Sequence, residues 1–234
     1  MQQYFINEIL DNKNEIELPK DVLHHFKNVL RMRNNEEFYL VDNNSIRYLC
    51  VLNDNNALIK ERLLDNNDMF VNVTIIQAMI KNDKFDYFLM KSTELGVSNI
   101  VPLISQRTII KLNDKTNNKV ERYNKLVFEA SCQCKRNSVP KVYNPIKLKE
   151  INEYKSDINL VCYEDLNYNS KSILDYVEKG KSITLVIGPE GGFDISEIEY
   201  LVDNGFNTVK LGNRILRAET ASTYALSVID SIQE

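Results

Sequence analysis

From Val71 onward, short apolar runs alternate with segments of helical period, and this alternation restricts the chain to few architectures. The runs Val71–Ala78, Ile100–Ser105, Asn159–Tyr163, Ser182–Ile187 and Thr208–Leu211 read as strands. Between and after them, Phe85–Leu95, Val120–Cys134, Ser172–Glu178, Ser196–Asp203 and Thr220–Ile232 read as helices. Gly96 suits the left-handed position just past a helix end, and Asn204-Gly205 closes another helix. Tyr123, Val127 and Ala130 share one helical face, as do Ala221, Tyr224, Ala225, Val228 and Ile229. Asn113–Asn118 reads as a polar loop. Apolar strands alternating with helices predict an α/β domain with a largely parallel sheet covered on both faces.

Residues 1 to about 70 follow another pattern. The pieces Glu37–Val41, Arg47–Leu52 and Ala57–Arg62 are separated by turns at Asp42–Asn44 and Asn53–Asn56, which predicts a small antiparallel β-barrel or meander. One helix intervenes, starting at Pro19-Lys20-Asp21, with Val22, Phe26, Val29 and Leu30 at helical intervals. Leu64–Asp68 reads as the linker.

Charge is segregated along the chain. Between Arg107 and Lys149 there are eleven Lys/Arg against three Asp/Glu, whereas Glu150–Asp203 carries four against twelve. Such a split lets one face attract phosphate although the whole chain has a net charge of −4; a solvated loop is the other reading of the same residues. The opening MQQYFINEIL has no basic region before an apolar core, and the most apolar windows, such as Val73–Ile80, fall far short of the ~20 residues that span a bilayer. A cytoplasmic protein with no membrane association is expected, its cysteines Cys50, Cys132, Cys134 and Cys162 held as free thiols. Cys132 and Cys134 lack CxxC spacing, and His24 and His25 lie far off in sequence, so no metal site is expected.

Two segments carry the chemistry. In Leu185–Phe193 a buried strand runs into Gly188-Pro189-Glu190-Gly191-Gly192, and a helix follows with Ser196 and Glu199 spaced as a capping box. Bare backbone at the carboxyl end of a parallel strand admits a ligand closely, and Gly191 is where a branched side chain is expected to block it. Neither the dinucleotide nor the P-loop glycine pattern is present. A turn that merely joins strand to helix remains the alternative. In Leu211–Ala221, Gly212 ends a second strand, and Arg214, Arg217 and Glu219 cluster beside apolar Ile215 and Leu216. Such a loop suits an aromatic ring against Ile215 and Leu216; Arg217 and Glu219 could equally form a structural ion pair.

Taken together, GPEGG and LGNRILRAETA resemble the ribosomal RNA small subunit methyltransferase E family, a SPOUT family. KSTELGV (Lys91–Val97), PLISQR (Pro102–Arg107), HHFKNVLRMR (His24–Arg33) and the series Arg122, Glu129-Ala130, Gln133, Arg136, Pro140 extend the resemblance over nearly the whole chain. The chain departs from the family in lacking an arginine-rich opening and in having Tyr123 and Cys134 at their positions.

The resemblance implies a PUA-like RNA-binding β-barrel domain over residues 1–70 and a SPOUT methyltransferase domain, an α/β fold with a deep trefoil knot, over 71–234. It implies S-adenosylmethionine as cofactor, bound by Gly188, Pro189, Glu190, Gly191, Gly192, Leu211, Gly212, Ile215 and Leu216, with a third wall from the turn after Asn159–Tyr163. The expected reaction methylates N3 of a uridine in the decoding region of 16S ribosomal RNA, within the small subunit, by a homodimer whose site is completed across the interface. A SPOUT enzyme acting on ribose 2′-hydroxyl or transfer RNA, or a non-catalytic RNA-binding relative, are the alternatives. Arg31, Arg33, Lys91, Arg107, Arg122, Lys135 and Arg136 are the expected RNA contacts. From residue type, Arg217 is the expected donor to the developing uracil oxyanion and Glu219 its orienter or the proton acceptor.

Overall fold

The computed structural model describes residues 1–108, 116–163 and 170–233. The chain divides into two compact units, Met1–Asp68 with Ser131–Ser138, and Met69–Ala130 with Val139–Glu234.

The first unit is a five-stranded sheet of β1 (Gln3–Phe5), β2 (Glu15–Glu17), β3 (Glu37–Val41), β4 (Arg47–Asn53) and β5 (Asn56–Leu63), in the order β1-β3-β4-β5-β2. β3, β4 and β5 form the expected antiparallel meander, joined through turns that place Ser45 and Asp54 at positive φ. Asp42 sets the first turn by accepting hydrogen bonds from the Asn44 and Ile46 amides at 2.9 and 3.0 Å. β1 and β2 are too short to show as strands in the sequence, and β1 joins β3 in parallel rather than antiparallel fashion. Phe26, Phe38, Leu40 and Cys50 are completely buried between sheet and helix. That helix, α1 (Lys20–His24), widens into a π-helical stretch at His25–Leu30. The extra residue per turn breaks the period that would bring Val29 inward, and Val29 is 61% exposed.

Ser131–Ser138, assigned from the sequence to the second domain, completes this unit. Gln3 Nε2 donates to the Arg136 carbonyl at 2.7 Å, Arg47 donates to the Lys135 carbonyl at 3.2 Å, and Asn137 Nδ2 donates to the Ser45 and Asp65 carbonyls. Arg136 itself is buried, its Nε 2.8 Å from Asp68 Oδ1. Arg136→Ala is therefore expected to lower stability by roughly 3 kcal/mol, because it strands a largely buried carboxylate. A urea midpoint checks this. An unshifted midpoint with a reduced salt slope of RNA binding would return Arg136 to the phosphate role.

The second unit begins with β6 (Val73–Ala78), α2 (Asn82–Glu94), β7 (Asn99–Ile104) and α3 (Thr116–Cys134). β8 (Lys141–Val142), β9 (Ile146–Lys147), a 3₁₀ segment at Leu148–Tyr154, β10 (Ile158–Cys162) and β11 (Lys171–Ser172) come next. β12 (Ile183–Ile187), α4 (Ile195–Asp203), β13 (Asn207–Lys210) and α5 (Ala218–Gln233) complete it. Every pairing in the sheet β11-β13-β10-β12-β6-β7-β8, with β9 also on β7, is parallel, as the apolar strands predict. Alternate residues face opposite sides. Val73, Ile75, Leu160 and Leu185 pack with Phe85, Phe88, Tyr123, Val127, Ala225 and Ile229 from α2, α3 and α5. Ile76, Val101, Val161 and Val186 pack on the other face with Ile198, Leu201 and Phe206 of α4 and its exit.

Several expected elements differ. Ser172–Glu178 is only a 3₁₀ turn at Ile173–Asp175 after β11, too short for a helical face. α4 is capped two residues earlier than expected, by Asp194 with Glu197, so that Ser196 and Glu199 lie inside the helix. Tyr224 is 40% exposed on α5 and Leu226 is buried instead. Of the expected loop at 113–118, residues 116–118 begin α3 and 113–115 lie outside the described residues. Gly96 and Gly205 take the left-handed conformation after α2 and α4 as expected. No described helix is long and apolar enough to cross a membrane.

Candidate functional site

β10 lies between β13 and β12, with Val161 in register with Thr208 on one side and Val186 on the other. The chain thus leaves three adjacent parallel strands at one edge of the sheet, where open α/β sheets place ligands. The three exits, after Cys162, Ile187 and Lys210, wall a cleft of about 240 Å³. Of the nine expected cofactor residues, Gly188, Pro189, Gly192, Leu211, Ile215 and Leu216 line it. Cys162 and Tyr163 form the third wall where the turn after β10 was expected to supply it. Phe193, Val209, Arg214, Ala218 and Ala221 line it too. Arg214 lies inside the expected Leu211–Leu216 loop, whereas Phe193, Ala218 and Ala221 sit in or beside the two motif segments without being singled out there as lining.

The glycines do different work. A Cβ on Gly188 would stand 3.1 and 3.2 Å from the Phe193 ring, which is 4% exposed, so a side chain there fits only if that buried ring gives way. Gly192 (φ +68) and Gly212 (φ +114) supply conformations that other residues resist. Gly191 has ordinary φ, and a Cβ there would meet Arg107 at 3.5 Å, a normal contact. The expectation that Gly191 is the sensitive position thus moves to Gly188. Glu190, Gly191 and Gly212 do not line the cleft.

Side chains outside the cleft pin its glycine loop. Gln77, completely buried on β6, donates Nε2 to the Gly188 carbonyl at 3.3 Å. Glu190 turns toward α2, its Oε1 3.2 Å from Lys84 Nζ and 3.5 Å from the Lys81 amide. Partial burial alone would raise the Glu190 carboxyl; hydrogen bonds from its own backbone, Lys84 and the Lys81 amide outweigh that and hold it below its ordinary value. Arg107 donates to the Gly191 carbonyl and to Asp194, both at 3.1 Å. Within the cleft, burial pushes the Cys162 thiol up to about 12, leaving it neutral. Lys210 and Arg214 are the charged residues among the lining.

Arg217 and Glu219 do not line this cleft. They lie with Asp83, Lys84, Tyr87 and Thr220 around a separate shallow depression, reached from the cleft wall by one step along the chain from Leu216. No Arg217–Glu219 ion pair forms among the described residues, which removes the structural-pair alternative, and Glu219 Oε2 is buried with no hydrogen-bond partner there.

The seven expected RNA contacts do not share one setting. Arg31 and Arg33 are exposed on the first unit, Arg31 in the left-handed conformation that ends the π-helical stretch. Lys135 donates to the Met1 carbonyl, and Arg136 is interior. In the second unit Lys91 pairs with Glu94 at 2.8 Å, and Arg122 grips Asp86 through two hydrogen bonds of 2.6 and 2.7 Å.

The parallel sheet and the cleft at its three strand exits lie within residues 67–230, which match the family model of an RNA methyltransferase domain; the model of an RNA methyltransferase PUA domain matches residues 18–61. The ribosomal RNA small subunit methyltransferase E of Bacillus subtilis is 31% identical, covering 98% of this chain and 96% of that one. The structure of ribosomal RNA small subunit methyltransferase E from Neisseria gonorrhoeae bound to S-adenosyl methionine superposes with a TM-score of 0.89 at 30% identity, over 100% of this chain and 98% of that one. A Legionella pneumophila methyltransferase in complex with SAM gives 0.87 at 28%, over 99% and 97%. The chain belongs to the ribosomal RNA small subunit methyltransferase E family.

Proposed function

We propose that this chain methylates N3 of a uridine in the decoding region of 16S ribosomal RNA, with S-adenosylmethionine as methyl donor. The observation that carries the reading is the cleft itself. Its backbone is bare at Gly188, its walls are apolar at Ile215 and Leu216, and it sits in a chain related to this family over nearly its full length. These residues suit the cofactor: Leu211, Ile215 and Leu216 for a purine face, backbone of Gly188, Pro189 and Gly192 for close approach, Lys210 or Arg214 for a carboxylate. Glu190, Gly191 and Gly212 act by shaping the loops. The cofactor supplies an activated methyl group, so no metal is required.

Uracil N3 carries a proton in the neutral base, and as it is lost negative charge spreads onto the flanking carbonyl oxygens. Arg217, exposed beside the cleft, donates to that charge. Glu219, whose buried Oε2 has no hydrogen-bond partner among the described residues, orients Arg217 or accepts the proton. Arg31 and Arg33 on the first unit contact RNA phosphate, consistent with the PUA-domain match over residues 18–61. The working enzyme is cytoplasmic, acts on the small ribosomal subunit, is a homodimer, and carries the trefoil knot of SPOUT enzymes. Mass spectrometry of ribosomal RNA from cells with and without the gene tests the reading. A 3-methyluridine in 16S RNA that disappears with the gene is the expected result. Loss of a ribose or transfer-RNA methyl group instead, or no change, would overturn it.

A further inference from the structure

We propose that Arg107 is a positioning residue for the cofactor loop rather than a phosphate contact, an inference that rests on the cleft being the S-adenosylmethionine site. Its guanidinium bridges two points of the β12–α4 connection. NH1 donates to the Gly191 carbonyl and NH2 to Asp194 Oδ2, each at 3.1 Å. The forked edge that would grip a phosphate is thereby occupied. The stem reinforces the bridge: the space a Cβ on Gly191 would enter is bounded by Arg107 Cβ and Cδ at 3.5 and 3.7 Å, so the aliphatic chain lies along this glycine.

Asp194 is itself committed. It is the N-cap of α4, its Oδ1 accepting from the Ser196 amide at 3.1 Å and the Ser196 hydroxyl at 2.8 Å. The Ser196 hydroxyl and amide foremost, then Arg107, hold its carboxyl below the ordinary range, so it stays an anion for Arg107 at neutral pH. The preceding residue fixes the approach. The Gln106 amide donates to Glu197 Oε1 at 2.8 Å, its Nε2 donates to Ser196 Oγ at 3.1 Å, and Glu197 is 2% exposed. The stretch after β7 is thus keyed into the first turn of α4, and Arg107 carries that registration on to Gly191, the neighbour of cleft-lining Gly192. The Arg107 and Asp194 side chains are 51% and 34% exposed, and an ion pair so placed adds little to global stability. What its loss changes is the loop.

The test pairs calorimetry of S-adenosylmethionine binding without RNA with RNA binding across a salt series. Arg107→Ala is expected to raise the cofactor Kd about three- to tenfold, the cost of one or two such hydrogen bonds. KM for the cofactor should rise in step, while kcat at saturating cofactor, melting temperature and the salt slope of RNA binding stay near wild type. Arg107→Lys keeps one contact and should recover part of the affinity. Asp194→Asn preserves the cap and the Gly191 bond and should show a smaller rise than Arg107→Ala. Unchanged cofactor affinity in Arg107→Ala, or a salt slope reduced by about 0.7–0.9, the signature of one lost phosphate contact, overturns the proposal. If Arg107→Ala does not fold, the same two outcomes are read in Arg107→Gln, which removes the charge and the fork but keeps a polar side chain. Wild-type protein that fails to bind S-adenosylmethionine would instead sink the reading of the cleft, and the positioning role with it.

Discussion

Arg217→Ala is expected to slow single-turnover methylation by about a hundred- to a thousandfold, the usual cost of one donor aimed at a developing oxyanion. Its backbone is fixed: the Arg217 carbonyl accepts from the Thr220 and Ala221 amides at 2.9 and 2.8 Å in the first turn of α5. Its side chain is exposed and forms no ion pair among the described residues. Removing it should therefore change stability by less than about 0.5 kcal/mol. Cofactor affinity should hold, because Leu216 and not Arg217 lines the cleft. A donor that matters only in the transition state lowers kcat and kcat/KM together. Arg217→Lys should recover little, since an ammonium lacks the planar fork. Near-normal turnover in a folded Arg217→Ala protein would end the catalytic assignment.

Gly188→Val should weaken S-adenosylmethionine binding roughly ten- to a hundredfold with the fold retained, as judged by calorimetry beside circular dichroism. The new Cβ would meet the Phe193 ring at 3.1 Å, and that ring is locked among Val186, Ile198 and Leu201. The strain is discharged into the cleft or the loop, and overpacking of this kind costs about 1–3 kcal/mol, with each 1.4 kcal/mol about tenfold in Kd. Gly191→Val makes the contrast, because its Cβ would meet the Arg107 stem only at 3.5 and 3.7 Å, ordinary contacts, and its loss should not exceed that of Arg107→Ala. Equal losses at both positions would mean that loop flexibility, not the Gly188–Phe193 contact, governs binding.

The contrast between these glycines also marks how far the sequence was legible. Alternating apolar runs disclosed the parallel sheet, because strands covered on both faces are apolar at most positions, with only a few hydrogen-bonded exceptions such as Gln77 and Thr184. The two motif loops disclosed most of the cleft, since glycine after a buried strand has few uses. What escaped depended on neighbours. β1 and β2 owe their pairing to β3 and β5 rather than to any pattern of their own. Gln77 reaches the Gly188 carbonyl only because β6 is the neighbour of β12 in the sheet. The arginines were the least legible: a positive residue in a basic stretch reads the same whether it is exposed like Arg33, bound to Asp86 like Arg122, or interior like Arg136. Only the carboxylate across the fold distinguishes them.

The membership of Ser131–Ser138 in the first unit has a consequence for biosynthesis. A nascent chain leaves the ribosome from its amino terminus, yet Gln3, Arg47, Asn67 and Asp68 find their partners on Lys135–Asn137. The ion pair of Arg136 with Asp68 closes a loop of 68 positions, and the hydrogen bond from Gln3 closes one of 133. Closing such loops must wait for translation to pass the second partner. The segment made first is therefore finished only after Met69–Ala130 of the other unit has been synthesised, and a chimera spliced at residue 70 would inherit a sheet without the strut that completes it.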